Sequence, residues 1–226
     1  MREIVLDTET TGLDPIRGDR LVEIGCIELV NHIATGSTFQ RYINPERPMP
    51  QAAFRVHGLS DEFLLDKPVF KDIAGDLINF LCNDKLIIHN ASFDLGFLNT
   101  ELTKLDMSII DTERAIDTML LARKRYPGAP ANLDALCRRF EIDNSERSLH
   151  GALLDAELLA EVYLELIGGR QPDLVLDSAK AKNNSTEKAS QQKKVRVPRT
   201  HALSGEEKRS HTKFLESLDD PIWLQS

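Results

Sequence analysis

The sequence predicts an α/β domain built on a mixed sheet of five strands with flanking helices, followed by a flexible C-terminal tail. Three observations carry that expectation. The first 43 residues hold three strand-like runs joined by short connections, which favours an antiparallel meander. From residue 72 to residue 167, short apolar strands alternate with segments of helical spacing, the pattern of parallel strands packed under helices. Beyond Gly168-Gly169 the composition changes. Residues 177–200 hold only Val195 and Val197 as larger aliphatics among Lys, Ser, Asn, Gln and Ala, too little apolar surface to fold alone.

The first strand, Ile4-Val5-Leu6-Asp7-Thr8-Glu9-Thr10-Thr11-Gly12, places two acids two residues apart inside an apolar run. Successive side chains of a strand point to opposite faces, so Asp7 and Glu9 share one face while Leu6 and Thr8 take the other. Two unit charges 4 Å apart repel by about 4 kcal/mol at an effective dielectric near 20. Such a pair needs a proton or a cation between its members, and carboxylate oxygens suit Mg²⁺ or Mn²⁺. An edge strand turning its acids to water fits this stretch equally well.

Turn residues follow, then strands at 21–30 and 38–43 joined across 31–36. Residues 45–50 are too rich in proline for regular structure, and Ser60 has the chemistry to cap a short helix. His57, beside Gly58, fits either a structural histidine or a substrate contact. Helical spacing marks 72–81, and 85–89 reads as a buried strand. Asn90 stands where an N-cap belongs, which puts Asp94 in the first turn of the next helix, where the dipole favours its charged form. A fifth strand is expected at 108–111, a helix capped by Asp117 runs to Arg125, and another capped by Asn132 covers 133–140. Arg138 and Arg139 close that helix, as the dipole prefers. The last helix of the domain, 152–167, is apolar around much of its circumference yet carries Asp155. His150 precedes Asp155 by five positions, an offset of about 140° on a helix, so both reach one site only if His150 lies on the loop before it, with Gly151 at the junction. Taken by itself, a loop histidine also fits a structural or solvent-exposed role.

Charge narrows the functions available. Residues 177–226 hold 10 Lys/Arg against 7 Asp/Glu, which leaves 18 against 29 in residues 1–176, a net −11. Such a domain gains little from displacing phosphate counterions. If it handles nucleic acid, bound cations must offset its charge, or another element must hold the substrate close. No apolar stretch is long enough to span a bilayer and no secretory signal follows Met1, so a cytoplasmic protein without a membrane partner is expected. Cys26, Cys82 and Cys137 lack metal-ligand spacing and are expected as buried, reduced thiols.

The anomalies form a set: Asp7, Glu9, Asp94, His150 and Asp155. Four carboxylates and a histidine are what a two-metal phosphodiesterase needs, the metals stabilising attacking and leaving oxygens while histidine takes a proton from water. At this point the sequence resembles the DEDDh 3′-to-5′ exonucleases. Asp7-Thr8-Glu9-Thr10-Thr11-Gly12, His89-Asn90-Ala91-Ser92-Phe93-Asp94 and His150-Gly151-Ala152-Leu153-Leu154-Asp155 match the three exonuclease motifs of that family. The resemblance spans about residues 3–168. It implies a ribonuclease H-like fold, two Mg²⁺ or Mn²⁺ ions, and His150 as general base. By the same resemblance Asp7, Glu9 and Asp155 ligate one metal and touch substrate, Asp7 bridges to the second, and Asp94 supports that one. The segments around Arg55-Val56-His57-Gly58-Leu59, Ala135-Leu136-Cys137-Arg138-Arg139-Phe140 and Leu149-His150-Gly151 resemble most the branch that proofreads for bacterial replicative DNA polymerases. That implies removal of mispaired 3′-terminal nucleotides as 5′-monophosphates from a single-stranded or frayed DNA 3′ terminus, with Val56 and His57 against the last nucleotide. Some relatives carry an acid five residues before that histidine; Ala52 stands there, so that contact is not expected.

The expected organisation is an exonuclease domain over 1–168, a linker over 169–203 and a docking segment over 204–226. Within the linker, Gln171-Pro172-Asp173-Leu174-Val175-Leu176 is similar to the short motif that binds the sliding clamp, with Gln171, Leu174 and Leu176 as anchors. Ser204 and Glu207 make a capping box that opens a helix over 204–218. Phe214, Leu218, Ile222, Trp223 and Leu224 supply an apolar stripe and the chain's one tryptophan, which suits docking onto a partner. The family resemblance makes that partner the catalytic (alpha) subunit of the polymerase in the bacterial replisome, and leaves open a small accessory subunit. Docking back onto its own domain is the competing fate of the tail. A free-standing RNA-trimming exonuclease and a non-catalytic scaffold are the competing functions.

Overall fold

Strand β1, Arg2–Thr10, is the middle of a five-stranded sheet and separates its two kinds of pairing. On one side lie β2, Leu21–Val30, and β3, Ile33–Tyr42, both antiparallel; on the other, β4, Lys85–Ile88, and β5, Ala115–Asp117, run parallel. The spatial order is β3-β2-β1-β4-β5. This computed structural model describes residues 1–145, 149–169 and 204–216, and the chain divides into two units, Met1–Val175 and Leu176–Ser226.

The sheet departs from the sequence expectation in two places. The connection between β2 and β3 is confined to Asn31 and His32, with φ of 52° and 66°, so β3 starts at Ile33 rather than at 38. Two successive left-handed residues give the hairpin turn whose twist matches that of the strands. The fifth strand is not at 108–111 but at Ala115–Asp117. The Asn99 side chain takes the place of a strand partner for Ile110, its Oδ1 accepting from the Ile110 N–H at 2.7 Å and its Nδ2 donating to the Ile110 carbonyl at 3.0 Å. That pairing leaves the segment outside the sheet.

Helices cover both faces. They are α1, Gln51–His57; α2, Asp61–Leu64; α3, Phe70–Leu81; α4, Ala91–Lys104; α5, Thr118–Arg125; α6, Leu133–Phe140; and α7, Ala152–Leu166. Alternation along β1 divides the core between them. Ile4 and Leu6 pack with Phe70, Ile73, Leu77 and Leu98 of α3 and α4, while Val5 packs with Leu136, Leu159 and Val162 of α6 and α7. Each such side chain contributes roughly 1.5–3 kcal/mol on burial. Ser60, Asp117 and Asn132 cap α2, α5 and α6 as their chemistry predicts. Asn90 does not cap α4 with its side chain: it is left-handed, at φ 66°, and Asp117 accepts from the N–H groups of Asn90 and Ala91 instead. Helix α1 lacks an apolar stripe that would announce it. It is bounded by Pro50 and by Gly58 at φ 72°.

Glu3 is fully buried, with Tyr163 Oη donating to its Oε1 at 2.9 Å. His32 Nδ1 stands 2.7 Å from the other carboxylate oxygen, without a well-directed hydrogen bond. Cys26 and Cys137 are buried as expected, and burial together with Asp7 and Asp94 pushes the Cys26 thiol pKa up. Cys82 departs from expectation. It is exposed where α3 ends, because φ of 43° turns the chain out of the helix there. Among the described residues no helix is long and apolar enough to cross a membrane.

In the second unit, α8 spans Gly205–Glu216. Glu207 Oε2 accepts from Ser204 N and Oγ at 2.8 Å each and Ser204 Oγ accepts from Glu207 N at 3.2 Å, the reciprocal capping box. Phe214 is exposed on this helix. Gln171, Leu174, Leu176, Leu218, Ile222, Trp223 and Leu224 lie outside the described residues.

Candidate active site

The site forms at the C-terminal ends of β1 and β4, where the sheet changes from antiparallel to parallel pairing. Asp7, Glu9, Asp94, His150 and Asp155 all line one cavity of about 350 Å³ there. They arrive from both layers. Asp7 and Glu9 come from β1, Asp94 from the first turn of α4 on one face, and Asp155 from the first turn of α7 on the other.

Strand β2 holds α7 in register with β1. Gly25 lies directly across from Asp7, and Glu23 directly across from Glu9. A Cβ on Gly25 would stand 2.3 Å from backbone atoms of Ala152 and Leu153, so only glycine lets the start of α7 approach this closely. Glu23 is buried; its Oε2 accepts from the Ala152 N–H at 3.2 Å and its Oε1 from Gln40 Nε2 at 2.8 Å. Gly151 is the junction, extended rather than helical, and His150 sits on the loop before it. The His150 N–H donates to the Val56 carbonyl at 3.0 Å, and Leu149 lies over Gly58. The histidine loop is thus tied to the end of α1. His150 is 45% exposed, with Nδ1 3.2 Å from Asp155 Oδ2.

Two side chains have roles that period-two alternation alone does not show. Thr8 points away from Asp7 and Glu9, as expected, but in doing so reaches the other layer, where its hydroxyl donates to Asp94 Oδ1 at 2.7 Å. At Asp94, burial works against the charged form that its helix position favours. Burial pushes its carboxyl up to about 7, outweighing the hydrogen bonds from Thr8 and the local backbone, and Asp117 adds repulsion. His89, Phe93, Asn132 and Asp134 line the cavity as well. For Asn132 the visible signal was a helix cap, which hid its second position.

Val56 and His57 line a neighbouring cleft of about 540 Å³ that shares Thr8, Glu9 and Phe93 with the first. His57 is buried and its Nδ1 accepts from the Leu59 N–H at 3.0 Å, so the proton of the neutral ring is on Nε2. Nε2 has no well-formed hydrogen bond among the described residues. Burial lowers the pKa of His57, with the Thr10 backbone working against it and His150 adding to the lowering.

The donor set fits a hard cation. Glu9, His150 and Asp155 each offer a ligand atom, all within 4.8 Å of one another. Asp7 and Asp94 line the same cavity outside that trio. Carboxylate oxygens packed this way suit a hard divalent cation.

Carboxylates converging from both layers on the end of β1, with a histidine delivered just ahead of the last helix, define a ribonuclease H-like nuclease. The chain belongs to the exonuclease family, whose model matches residues 4–163. Members of that family depend on divalent metal. Among curated proteins it is similar to DNA polymerase III subunit epsilon of Rickettsia felis, 51% identical over 96% of this chain and 97% of the relative. It is also similar to the epsilon subunit of Escherichia coli, at 49% over 75% of this chain and 72% of that one. Two solved structures share the fold. The nuclease domain of 3′hExo, a DEDDh family member bound to rAMP, superposes with a TM-score of 0.61 at 16% identity, covering 74% of this chain and 91% of that one. Exonuclease X in complex with 5′ overhanging duplex DNA gives 0.58 at 24%, covering 73% and 90%.

Proposed function

We propose that this protein is the proofreading 3′-to-5′ exonuclease subunit of a replicative DNA polymerase, removing mispaired 3′-terminal nucleotides as 5′-monophosphates. The observation that carries it is the meeting of Asp7, Glu9, Asp94, His150 and Asp155 at one cavity beside the cleft of Val56 and His57. The near full-length similarity to DNA polymerase III epsilon subunits supplies the biological setting. Selectivity follows from fraying: a mismatched end costs less to unpair, so it reaches a single-strand site more often.

Glu9, Asp155 and Asp7 would hold one divalent cation, and Asp7 with Asp94 a second; Mg²⁺ and Mn²⁺ are the ions these oxygens suit. When bound, the metals supply charge to stabilise the attacking and leaving oxygens of the phosphodiester. The remaining steps belong to the protein's own groups. Val56 packs against the terminal nucleotide and His57 donates from Nε2 to it. Thr8 holds the Asp94 carboxylate by hydrogen bond. His150 takes the proton of the attacking water; with Nδ1 beside Asp155, that transfer falls to Nε2.

The division of the chain follows the same assignment. Residues 1–168 form the nuclease, 169–203 a linker whose Gln171, Leu174 and Leu176 bind the sliding clamp, and 204–226 the segment that docks on the polymerase catalytic subunit through Phe214, Leu218, Ile222, Trp223 and Leu224. Tethering gives an acidic domain a high effective concentration of primer ends. The test is digestion of matched and mismatched primer ends with Mg²⁺ or Mn²⁺, alongside titration of Mn²⁺ binding. His150→Ala should lower the rate with metal affinity largely retained, and Asp7→Ala should lower both. Equal loss of metal affinity in the two variants would defeat the role assignments, and no metal-dependent digestion by the parent would defeat the enzyme.

A further inference from the structure

Residues 1–176 carry a net charge of −11, yet five cations gather where α5 and α6 end. Arg123, Lys124 and Arg125 close α5, Arg138 and Arg139 close α6, and all five are exposed. A helix dipole favours cations at each end separately, by about 0.3–1 kcal/mol each. It does not require the two ends to meet, and here they do. The Tyr126 ring stands between them, 4.5 Å from the Arg139 guanidinium carbon and 5.8 Å from that of Arg125. Among the described residues no carboxylate pairs with Arg123, Lys124, Arg138 or Arg139. Residues 123–141 contain these five cations against Asp134 and Glu141, a local net +3.

Helix α6 leads from the cavity to the patch, which lies at the end away from it: Arg125 there donates to the carbonyls of Glu165 and Leu166, at the opposite end of α7 from Asp155. Leu133 and Asp134, at the start of α6, form part of the cavity wall, whereas α6 contributes nothing to the cleft of Val56 and His57. Arg138 follows Asp134 by four residues, so the two share a face of the helix, about 6 Å apart along its axis. At roughly 3.4 Å of rise per stacked nucleotide, Arg138 lies about two nucleotides out, and the end of α5, against the C-terminus of α7, lies farther along the same path. A strand with its last nucleotide in the cleft and its last phosphodiester in the cavity would continue onto this face.

We propose that the basic ends of α5 and α6, around Tyr126, bind the phosphate backbone of the DNA strand whose 3′ terminus occupies the cavity. This rests on the nuclease assignment above. It gives an acidic domain a local grip on its polyanionic substrate, which its overall charge denies it.

The test uses the full chain with Arg138→Glu, and with Arg123→Glu and Arg138→Glu combined. Two substrates are compared: a single-stranded oligonucleotide of about twenty nucleotides, and the nitrophenyl ester of thymidine 5′-monophosphate, which fills the cleft and cavity but has no further strand. The variants should raise KM for the oligonucleotide several-fold at low salt with kcat unchanged. The dependence of log KM on log salt should flatten by about 0.7 for each phosphate contact removed. Hydrolysis of the ester should not change. An unaltered oligonucleotide KM and salt slope would overturn the proposal, as would parallel loss on both substrates. If the parent cleaves neither substrate, the nuclease assignment fails. Fluorescence anisotropy of the oligonucleotide in chelator then decides the patch separately, weakened binding in the variants supporting it and equal binding overturning it.

Discussion

Replacing Gly25 by alanine probes the seat of α7 without touching a polar group. The added Cβ would lie 2.3 Å from backbone atoms of Ala152 and Leu153, where ordinary contact begins at 3.4 Å. Both neighbours are backbone, so β2 and the start of α7 must separate by at least the difference, about 1 Å. That is the end of the helix that carries His150 just before it and Asp155 in its first turn, while Gly25 itself sits across from Asp7. The substitution therefore widens the distance between the carboxylates of β1 and those groups. A misplacement of about 1 Å at a reacting constellation costs on the order of 10²-fold in rate. Overpacking costs the fold about 1–3 kcal/mol, within a total stability of roughly 5–15 kcal/mol, so the variant stays folded with a lowered Tm. The assay is steady-state digestion of a single-stranded oligonucleotide, with a thermal melt on the same preparation. We expect kcat to fall about a hundredfold and KM to change much less, because Val56 and His57 stand on α1. A Gly25→Ala protein with the parent kcat would refute the claim that this contact sets the geometry.

Tyr163→Phe removes the hydroxyl that donates to buried Glu3 and should cost about 1–3 kcal/mol in urea unfolding while leaving digestion rates alone; an unchanged unfolding midpoint would contradict it. His57 gives a pH signature. Its folded pKa is held below the ordinary 6.5 by burial, so the unfolded chain binds a proton that the fold resists. Stability is therefore full above about pH 6.5 and is lost as pH falls through that value towards the lower folded pKa. His57→Gln should flatten the stability profile in that window, and equal slopes in the two proteins would count against the shift.

Much of the site could be read along the chain because the signals were local. Period-two alternation placed Asp7 and Glu9 on one face of β1, and the offset of five residues meant that His150 and Asp155 could share a site only with His150 on a loop, where it stands. The caps at Ser60, Asp117 and Asn132 rest on hydrogen bonds spanning two or three residues, so their chemistry shows in sequence. The strand at 108–111 failed for the opposite reason. Both backbone groups of Ile110 are satisfied by the Asn99 side chain of α4, and no local pattern reports such a partner. Gly25 did leave a trace, as a glycine inside an apolar strand, but the neighbour that requires it is Ala152, far along the chain.

By itself the sequence determined the strand and helix periods, the two acids two residues apart, the histidine ahead of the last helix and the change of composition after Gly169. Those depend on bond geometry and on hydrogen bonds within a few residues. Tertiary structure alone decided that Thr8 would brace Asp94, that Glu23 and Gly25 would seat α7, that Asp94 would be pushed up to about 7, and that two basic helix ends would meet around Tyr126. These depend on burial and on approach between distant segments, and both arise only when packing brings the two layers together over the end of β1.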